Sequence, residues 1–333
     1  MCYKTFKEIV EASGSLGWGA PAGGGRAARM SVAAADDGHV LETVKMGMDT
    51  GLITPVLAGD EKKIREIAAG ISLTLDGAVI IDAPDPGEAA MEAVRAVNDG
   101  RADILMKGMV NTSNFMQAVL DHDCGLRHSG ALSHMAAFQV PGFGRLLFLT
   151  DGGINVKPDL EQKRSILENG VDFLLDLGWR TPRVAIITAN EAVNPKMPAT
   201  LDAAELAGMA ANGQIRGALV DGPLSLDLAV SREAARRKGN TSPVAGRADL
   251  LLVPDIESGN IFGKSLVYFA GALMAGVVLG TQAPVILTSR ASSPEEKLNS
   301  IAMASLAIAG REKRRRLKPE GQGTEMNGPV FMA

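Results

Sequence analysis

Aromatic side chains make up only 4% of the 333 residues, so the core must be packed from Ala, Val, Ile, Leu and Met. Binding nucleic acid by base stacking has little to work with in such a chain. There is no long basic stripe, and the formal charge is −4, which argues against binding along a phosphate backbone. Local Arg and Lys can still serve a small anionic substrate. The two cysteines, Cys2 and Cys124, form neither a disulfide framework nor a metal spacing, and they read as free thiols in a reducing cytoplasm. His39, His122, His128 and His134 show no H-E-x-x-H or similar zinc spacing. They read as surface or structural residues, and no metal is expected. A G-x-S-x-G elbow and a Walker loop are both missing. The first twenty residues lack the apolar run of a signal peptide. The longest apolar run, "LVYFAGALMAGVVLG" (Leu266 to Gly280), is too short for a membrane span and reads as a buried helix. The expectation is a soluble, cytoplasmic protein with no membrane or nucleic-acid partner.

What is present is a clear alternation of strand and helix patterns. The β-branched runs "MSVAAAD", "ITPVLAG", "AVIIDAP" and "DILMKG", starting at Met30, Ile53, Ala78 and Asp103, are each followed by a helical segment. Four such units in a row predict parallel strands with helical crossovers. "GALSHMAAFQVPGFGRLLFLTD" (Gly130 to Asp151) holds two extended runs joined at Pro141-Gly142, which predicts an antiparallel pair where one domain hands over to the next. Alternation resumes with "RVAIITAN", "GALVDGP", "DLLLVPD" and "PVILTSR", starting at Arg183, Gly217, Asp249 and Pro284. Helices are predicted over Leu160 to Leu177, Ser258 to Leu279, and about Pro294 to Gly310. The basic run "REKRRR" reads as a solvated helix end, where cations suit the dipole, and the Gly-rich tail after it as frayed. The length favours two domains, and the class is α/β. Gly23 to Ala28 formally matches G-x-G-x-x-A, but it precedes a strand instead of following one, so it reads as a linker.

In open parallel sheets, sites gather beyond the carboxyl ends of the strands. The polar residues there are Lys107 with Gly108, Asp221-Gly222-Pro223, Asp255 with Ser258-Gly259-Asn260, and Ser289-Arg290. Arg127 lies in a loop beside Ser129 and Ser133. Arginines and helix starts of this kind suit anionic oxygen. Each feature also has a plainer reading. Asp221-Gly222-Pro223 reads as a turn, and Ser258-Gly259 as a helix start. Ser293-Pro294-Glu295-Glu296 has the form of a capping box, with Ser at N-cap, Pro at N1 and Glu at N3. Spacing alone favours capping over catalysis for Glu296.

Five segments carry a resemblance that goes beyond spacing: "ADILMKGMVNTSNFM", "GLRHSGALSHMAAF", "DGPLSLDLAV", "SPVAGRADLLLVPDIESGNIFGKSL" and "TSRASSPEEKLNSIA". From about Ala28 to Ile308 the sequence resembles the phosphate acyltransferases, the phosphotransacetylase and phosphotransbutyrylase family. "MKGMVNTS", "GLR" with "LSH", and "SR" with "EEKL" are more like the butyryl branch. The resemblance implies two α/β domains around a cleft, in a fold related to the isocitrate and isopropylmalate dehydrogenases. The first domain would take residues 1–140 with 289–333; the second, inserted and dimerising, would take 141–288. It implies a homodimer that exchanges CoA and inorganic phosphate on a short acyl group, with butyryl preferred and acetyl the alternative. CoA and its esters would be substrates, with no permanently bound cofactor and no metal.

By motif position, Ser289 and Arg290 match the family's active-site Ser-Arg pair. Acetyl-type members place a basic aspartate seven residues after that serine, and here the position holds Glu296. Arg127 is placed like a second phosphate-binding arginine. Lys107, Ser129, Asn260 and Lys264 fall in segments that the resemblance assigns to CoA and substrate. In the implied chemistry Glu296 takes the thiol proton, Ser289 hydrogen-bonds the carbonyl oxygen, and Arg290 with Arg127 holds the phosphate. An ordinary thiol and an ordinary carboxyl differ by roughly 4 pKa units, so such a site has to narrow that gap. Two other readings stand beside this one. A metal- and NAD-dependent dehydrogenase of the same fold would need a catalytic Tyr-Lys pair, and the chain has only Tyr3 and Tyr268. A non-catalytic acyl-CoA sensor would not need the Ser-Arg pair.

Overall fold

The computed structural model describes residues 3–15, 27–127, 130–287 and 292–317. The chain opens with helix α1 (Phe6–Ser15), which sequence reading did not single out. Strand β1 (Ala28–Ala33), helix α2 (Gly38–Asp49), β2 (Ile53–Gly59), α3 (Glu61–Gly70), β3 (Val79–Asp82), α4 (Pro86–Asn98), β4 (Ile104–Lys107) and α5 (Thr112–Val119) then follow the expected alternation. Each helix from α2 to α5 starts at an Asp or Asn whose side chain accepts a backbone N–H of the first turn. These caps satisfy donors that the helix geometry leaves free, and they fix where each helix begins.

Strands β5 (Ser133–Gln139) and β6 (Leu146–Thr150) form the antiparallel pair expected around Pro141-Gly142. The second half comprises α6 (Leu160–Asp176), β7 (Arg183–Ile187), α7 (Pro198–Ala211), β8 (Leu219–Leu224), the short α8 (Leu226–Val230) and α9 (Arg232–Arg237), then β9 (Leu250–Leu252) and α10 (Ile256–Ala270). It ends with β10 (Leu273–Leu279), β11 (Val285–Ile286) and the long α11 (Pro294–Leu317). Among the described residues, eleven strands join one sheet, in the order β3-β2-β1-β4-β11-β10-β5-β6-β9-β7-β8. The first five strands of that order pair in parallel, and so do the last four. Antiparallel pairing at β11–β10, β10–β5 and β5–β6 separates the two blocks.

Three sequence expectations need correcting. The apolar run Leu266 to Gly280 is not one helix. It ends α10 at Gly271, which adopts φ +65°, and then becomes strand β10. A left-handed residue is the usual helix stop, and the β-branched pair Val277-Val278 suits the strand beyond it. Asp221-Gly222-Pro223 is not a turn but lies inside β8. Proline is tolerated there because β8 is the outermost strand of the sheet. The basic end of α11 is not merely solvated. Arg311 and Arg314 each reach the buried Asp176 of α6 at 3.1 Å. Burial pushes the Asp176 carboxyl up and the two guanidinium groups oppose it. The middle of α11, Asn299 to Ile308, is buried on every side, which marks a helix inside the core. The Gly23–Arg26 part of the glycine-rich lead-in and the tail from residue 318 onward lie outside the described residues.

Candidate active site

A cavity of about 490 Å³ lies on one sheet face over β5, β6 and β10. Its floor includes His134, Ala136 and Phe138, alternate residues of β5 that therefore share a face. Helix α10 supplies one wall through Asn260, Gly263, Lys264 and Val267, and α11 supplies another through Glu296 and Ser300. Leu287, Ser292 and Ser293 also line it. They flank residues 288–291, so Ser289 and Arg290 lie outside the described residues.

The start of α11 is fixed by a reciprocal cap. The Glu296 N–H donates to Ser293 Oγ at 3.1 Å, and the Ser293 N–H donates to a Glu296 carboxylate oxygen at 3.1 Å. This is the capping box that the sequence spacing predicts. The half-buried Glu296 side chain thus caps the helix and borders the cavity at once. Ser300, one turn on, accepts the Gly276 N–H at 3.0 Å and donates to the Glu296 carbonyl at 2.9 Å. That chain of bonds ties the helix carrying Glu296 to the floor strand β10.

Asn260 and Lys264 are one turn apart on the same face of α10 and project into the cavity. The Asn260 side chain donates to the Gly152 carbonyl at 3.3 Å. The helix meets the loop after β6 so closely that a Cβ on Gly259 would lie 2.7 Å from Gly152 Cα. That loop is organised by the buried Asp151. Its carboxylate accepts the N–H groups of Gly153, Ile154 and Asn155 at 2.8, 3.0 and 3.1 Å, and the Asn155 side chain at 2.6 Å. Asp255 caps α10 by accepting Ser258 N–H at 2.8 Å, so the plainer reading of that pair as a helix start holds.

His134 is the cavity residue that sequence reading passed over as surface or structural. Its ring is held between Gly153 and Gly276: a Cβ on Gly276 would stand 2.7 Å from Nε2, and one on Gly153 would stand 3.0 Å from Cγ. Burial pushes the His134 imidazole below the usual histidine range, while Asp151 pulls it up. The alternation of "SHMAAF" places His134 on the face of Ala136 and Phe138, and that was the available signal. His39 and His122 are exposed, and His128 lies outside the described residues.

Lys107 ends β4. The parallel register pairs Leu105 with Val285 and Met106 with Ile286, so Lys107 and Leu287 stand side by side at one rim. The Lys107 side chain is buried and donates to the Gly108 carbonyl at 3.2 Å. Arg127 is placed elsewhere. It bridges to Thr281 and lines a second cavity, of about 860 Å³, with Arg311 and Arg314 at the far end of α11. Fifteen residues of helix separate Arg311 from Glu296, about 22 Å of rise. Among the described residues, then, Glu296, Asn260 and Lys264 meet in one cavity and Arg127 does not join them. Ser129 lies outside the described residues. Among the described residues there is also no group of three or more His, Cys, Asp and Glu side chains that could hold a metal ion.

Residues 85–305 match the phosphate acetyl/butaryl transferase family. The chain belongs to that family. It is 46% identical over 282 residues to the phosphate butyryltransferase of Clostridium acetobutylicum, covering 85% of this chain and 93% of that one. It is 44% identical to the phosphate acetyltransferase of Thermotoga maritima, covering 85% and 96%. Among solved structures, a branched-chain phosphotransacylase from Enterococcus faecalis V583 superposes with a TM-score of 0.76 at 32% identity, over 84% of this chain and 99% of that one. A 4-hydroxythreonine-4-phosphate dehydrogenase from Burkholderia phymatum, at 15% identity and a TM-score of 0.51 over 85% and 98% of the two chains, shares the fold alone. That likeness agrees with the dehydrogenase-like fold expected from sequence.

Proposed function

We propose that this protein is a phosphate acyltransferase, catalysing acyl-CoA + phosphate ⇌ acyl phosphate + CoA, with a short chain such as butyryl preferred. The observation that carries this reading is the cavity in which a capped Glu296, Lys264 and Asn260 gather with Leu287 and Ser292, in a chain of this family. In the thioester-forming direction the CoA sulfur attacks the acyl carbonyl carbon. The thiol proton goes to Glu296, the C–S bond forms, and the C–O bond to phosphate breaks. Ser289 donates a hydrogen bond to the carbonyl oxygen as charge builds there, and Arg290 holds the departing phosphate. Lys264, which forms no ion pair among the described residues, is available to the phosphates of either substrate. Attack is direct, so the protein's main contribution is orientation. Phosphate-dependent release of free thiol from butyryl-CoA tests the reading; its absence across short-chain CoA esters would refute it.

The site lies between two α/β units, residues 1–140 with 289–333 and residues 141–288, with the antiparallel strands as their seam. The protein works as a homodimer through the second unit. Helix α10 supports this, because Ile261, Tyr268 and Phe269 are 66%, 76% and 90% exposed and share one helical face. Light scattering at micromolar concentration should give twice the chain mass, and Phe269→Ser should lower it. The expected setting is the cytoplasm; among the described residues no helix is long and apolar enough to cross a membrane.

A further inference from the structure

The floor of the 490 Å³ cavity is graded. The sheet register sets Gly276, Ala136 and Leu149 side by side across β10, β5 and β6, and sets Met274, Phe138 and Leu147 side by side one step further in. At the other end of the same face stands His134, on the strand paired to Val278. The sequence of rows is therefore polar, then small, then bulky. The small row makes a recess one side chain wide over Ala136, which has only a methyl group, because the His134 ring fills the space over Gly276, where a Cβ would stand 2.7 Å from Nε2. Phe138 and Met274 close it, and Val267 of α10 covers it. Gly263 lets α10 come down over this end, since a Cβ there would sit 3.0 Å from the Phe138 ring.

We infer that this recess holds the acyl chain, with Ala136 setting its depth and Met274 its length. The inference rests on the acyltransferase reading and specifies its substrate. The inner two rows and Val267 offer no side-chain hydrogen-bonding group, so an amide-bearing segment of CoA would lose its partners there, whereas an alkyl group would not. The position of the reacting end agrees. Continuing the antiparallel pairing of Val278 with Val285 brings Leu287 level with Gly276. The Gly276 N–H is itself bonded to Ser300, on the turn after Glu296. A carbonyl lying between Leu287 and Glu296 would point its chain past the His134 ring and over Ala136 towards Met274. Each methylene buried there favours binding by roughly fourfold.

The experiment compares kcat/KM for acetyl-, propionyl-, butyryl-, valeryl- and hexanoyl-CoA in phosphate-dependent CoA release, with the KM for phosphate measured alongside. Ala136→Val fills the small row and should lower the butyryl-to-acetyl ratio by at least about tenfold. Met274→Ala opens the closed end and should raise the hexanoyl-to-butyryl ratio by about fivefold or more. Neither should change the KM for phosphate more than about twofold. Met274 is only half-buried, so Met274→Ala decides alone if Ala136→Val does not fold. Folded variants that scale every chain length equally would overturn the compartment and leave the acyltransferase reading standing. A wild type that releases no CoA with any of the five esters would overturn both.

Discussion

Glu296 is the one residue for which two roles can be weighed on the same side chain. It accepts the Ser293 N–H at 3.1 Å, and its own N–H goes to Ser293 Oγ at 3.1 Å. It also borders the cavity. Ser293→Ala removes one half of the box without touching the carboxylate. The expected cost is about 1 kcal/mol, the usual worth of an N-cap hydroxyl. In a chain of this size that lowers Tm by about 2 °C. Most activity should survive, because the ten residues Asn299 to Ile308 anchor α11 in the core whatever happens at its first turn. Glu296→Gln is the complement. Gln still reaches back to the Ser293 N–H, so Tm should stay within about 1 °C. It cannot take a proton from a thiol, so kcat at saturating CoA should fall at least about a hundredfold. Differential scanning calorimetry and phosphate-dependent thiol release read the two effects separately. Near-normal turnover in Glu296→Gln would make Glu296 a cap and nothing more, and the thiol proton would have to leave by another route.

Arg290→Ala should raise the KM for phosphate and lower turnover with the fold intact; lysine should rescue it only in part, since it lacks the two-pronged contact. Wild-type behaviour towards phosphate would remove that assignment. Gly271→Val forces a β-branched residue into φ +65° with no steric neighbour within 4 Å, so its cost is conformational, about 1–2 kcal/mol, visible as a lower Tm. For His134, folding lowers the imidazole pKa, so the unfolded chain binds the proton more readily. Its contribution to stability is intact above the ordinary value of about 6.5 and is lost as pH falls from there towards the lower folded value. His134→Asn should flatten the fall in denaturation midpoint between about pH 7 and 5 relative to wild type. An unchanged slope would mean that His134 does not carry this part of the pH dependence.

Where local chemistry decides the structure, it could be read from the sequence. Asp60, Asp85 and Asp159 cap helices because their carboxylates reach the first free amides, and that reach depends only on residues two to three positions away. Ser293 and Glu296 belong to the same class. The parallel alternation is equally local, set by β-branched runs and turn residues. The run Leu266 to Gly280 misled because hydrophobicity alone does not separate a buried helix from a central strand. The deciding residue, Gly271, is a single glycine inside an apolar stretch, and the strand that follows it pairs with β5 and β11, which are distant or later in the chain.

The cavity depends on a different kind of information. Its floor joins residues 134, 136, 138, 149 and 274–276, brought together only because β10 returns from the far end of the chain to lie between β11 and β5. Read along the chain, Ala136 is an ordinary strand alanine and Gly276 an ordinary glycine. Across the sheet they are neighbours: Gly276 leaves the space that the His134 ring takes, and Ala136 leaves the space proposed for an acyl group. His134 escaped notice for a related reason: its local alternation gives it a face, but Gly276, 142 positions away, is what frees the space at its ring. The motif residues name the chemistry expected at the rim. The proposed choice of acyl group falls to Ala136 and Met274 on two paired strands, whose meaning exists only in the register.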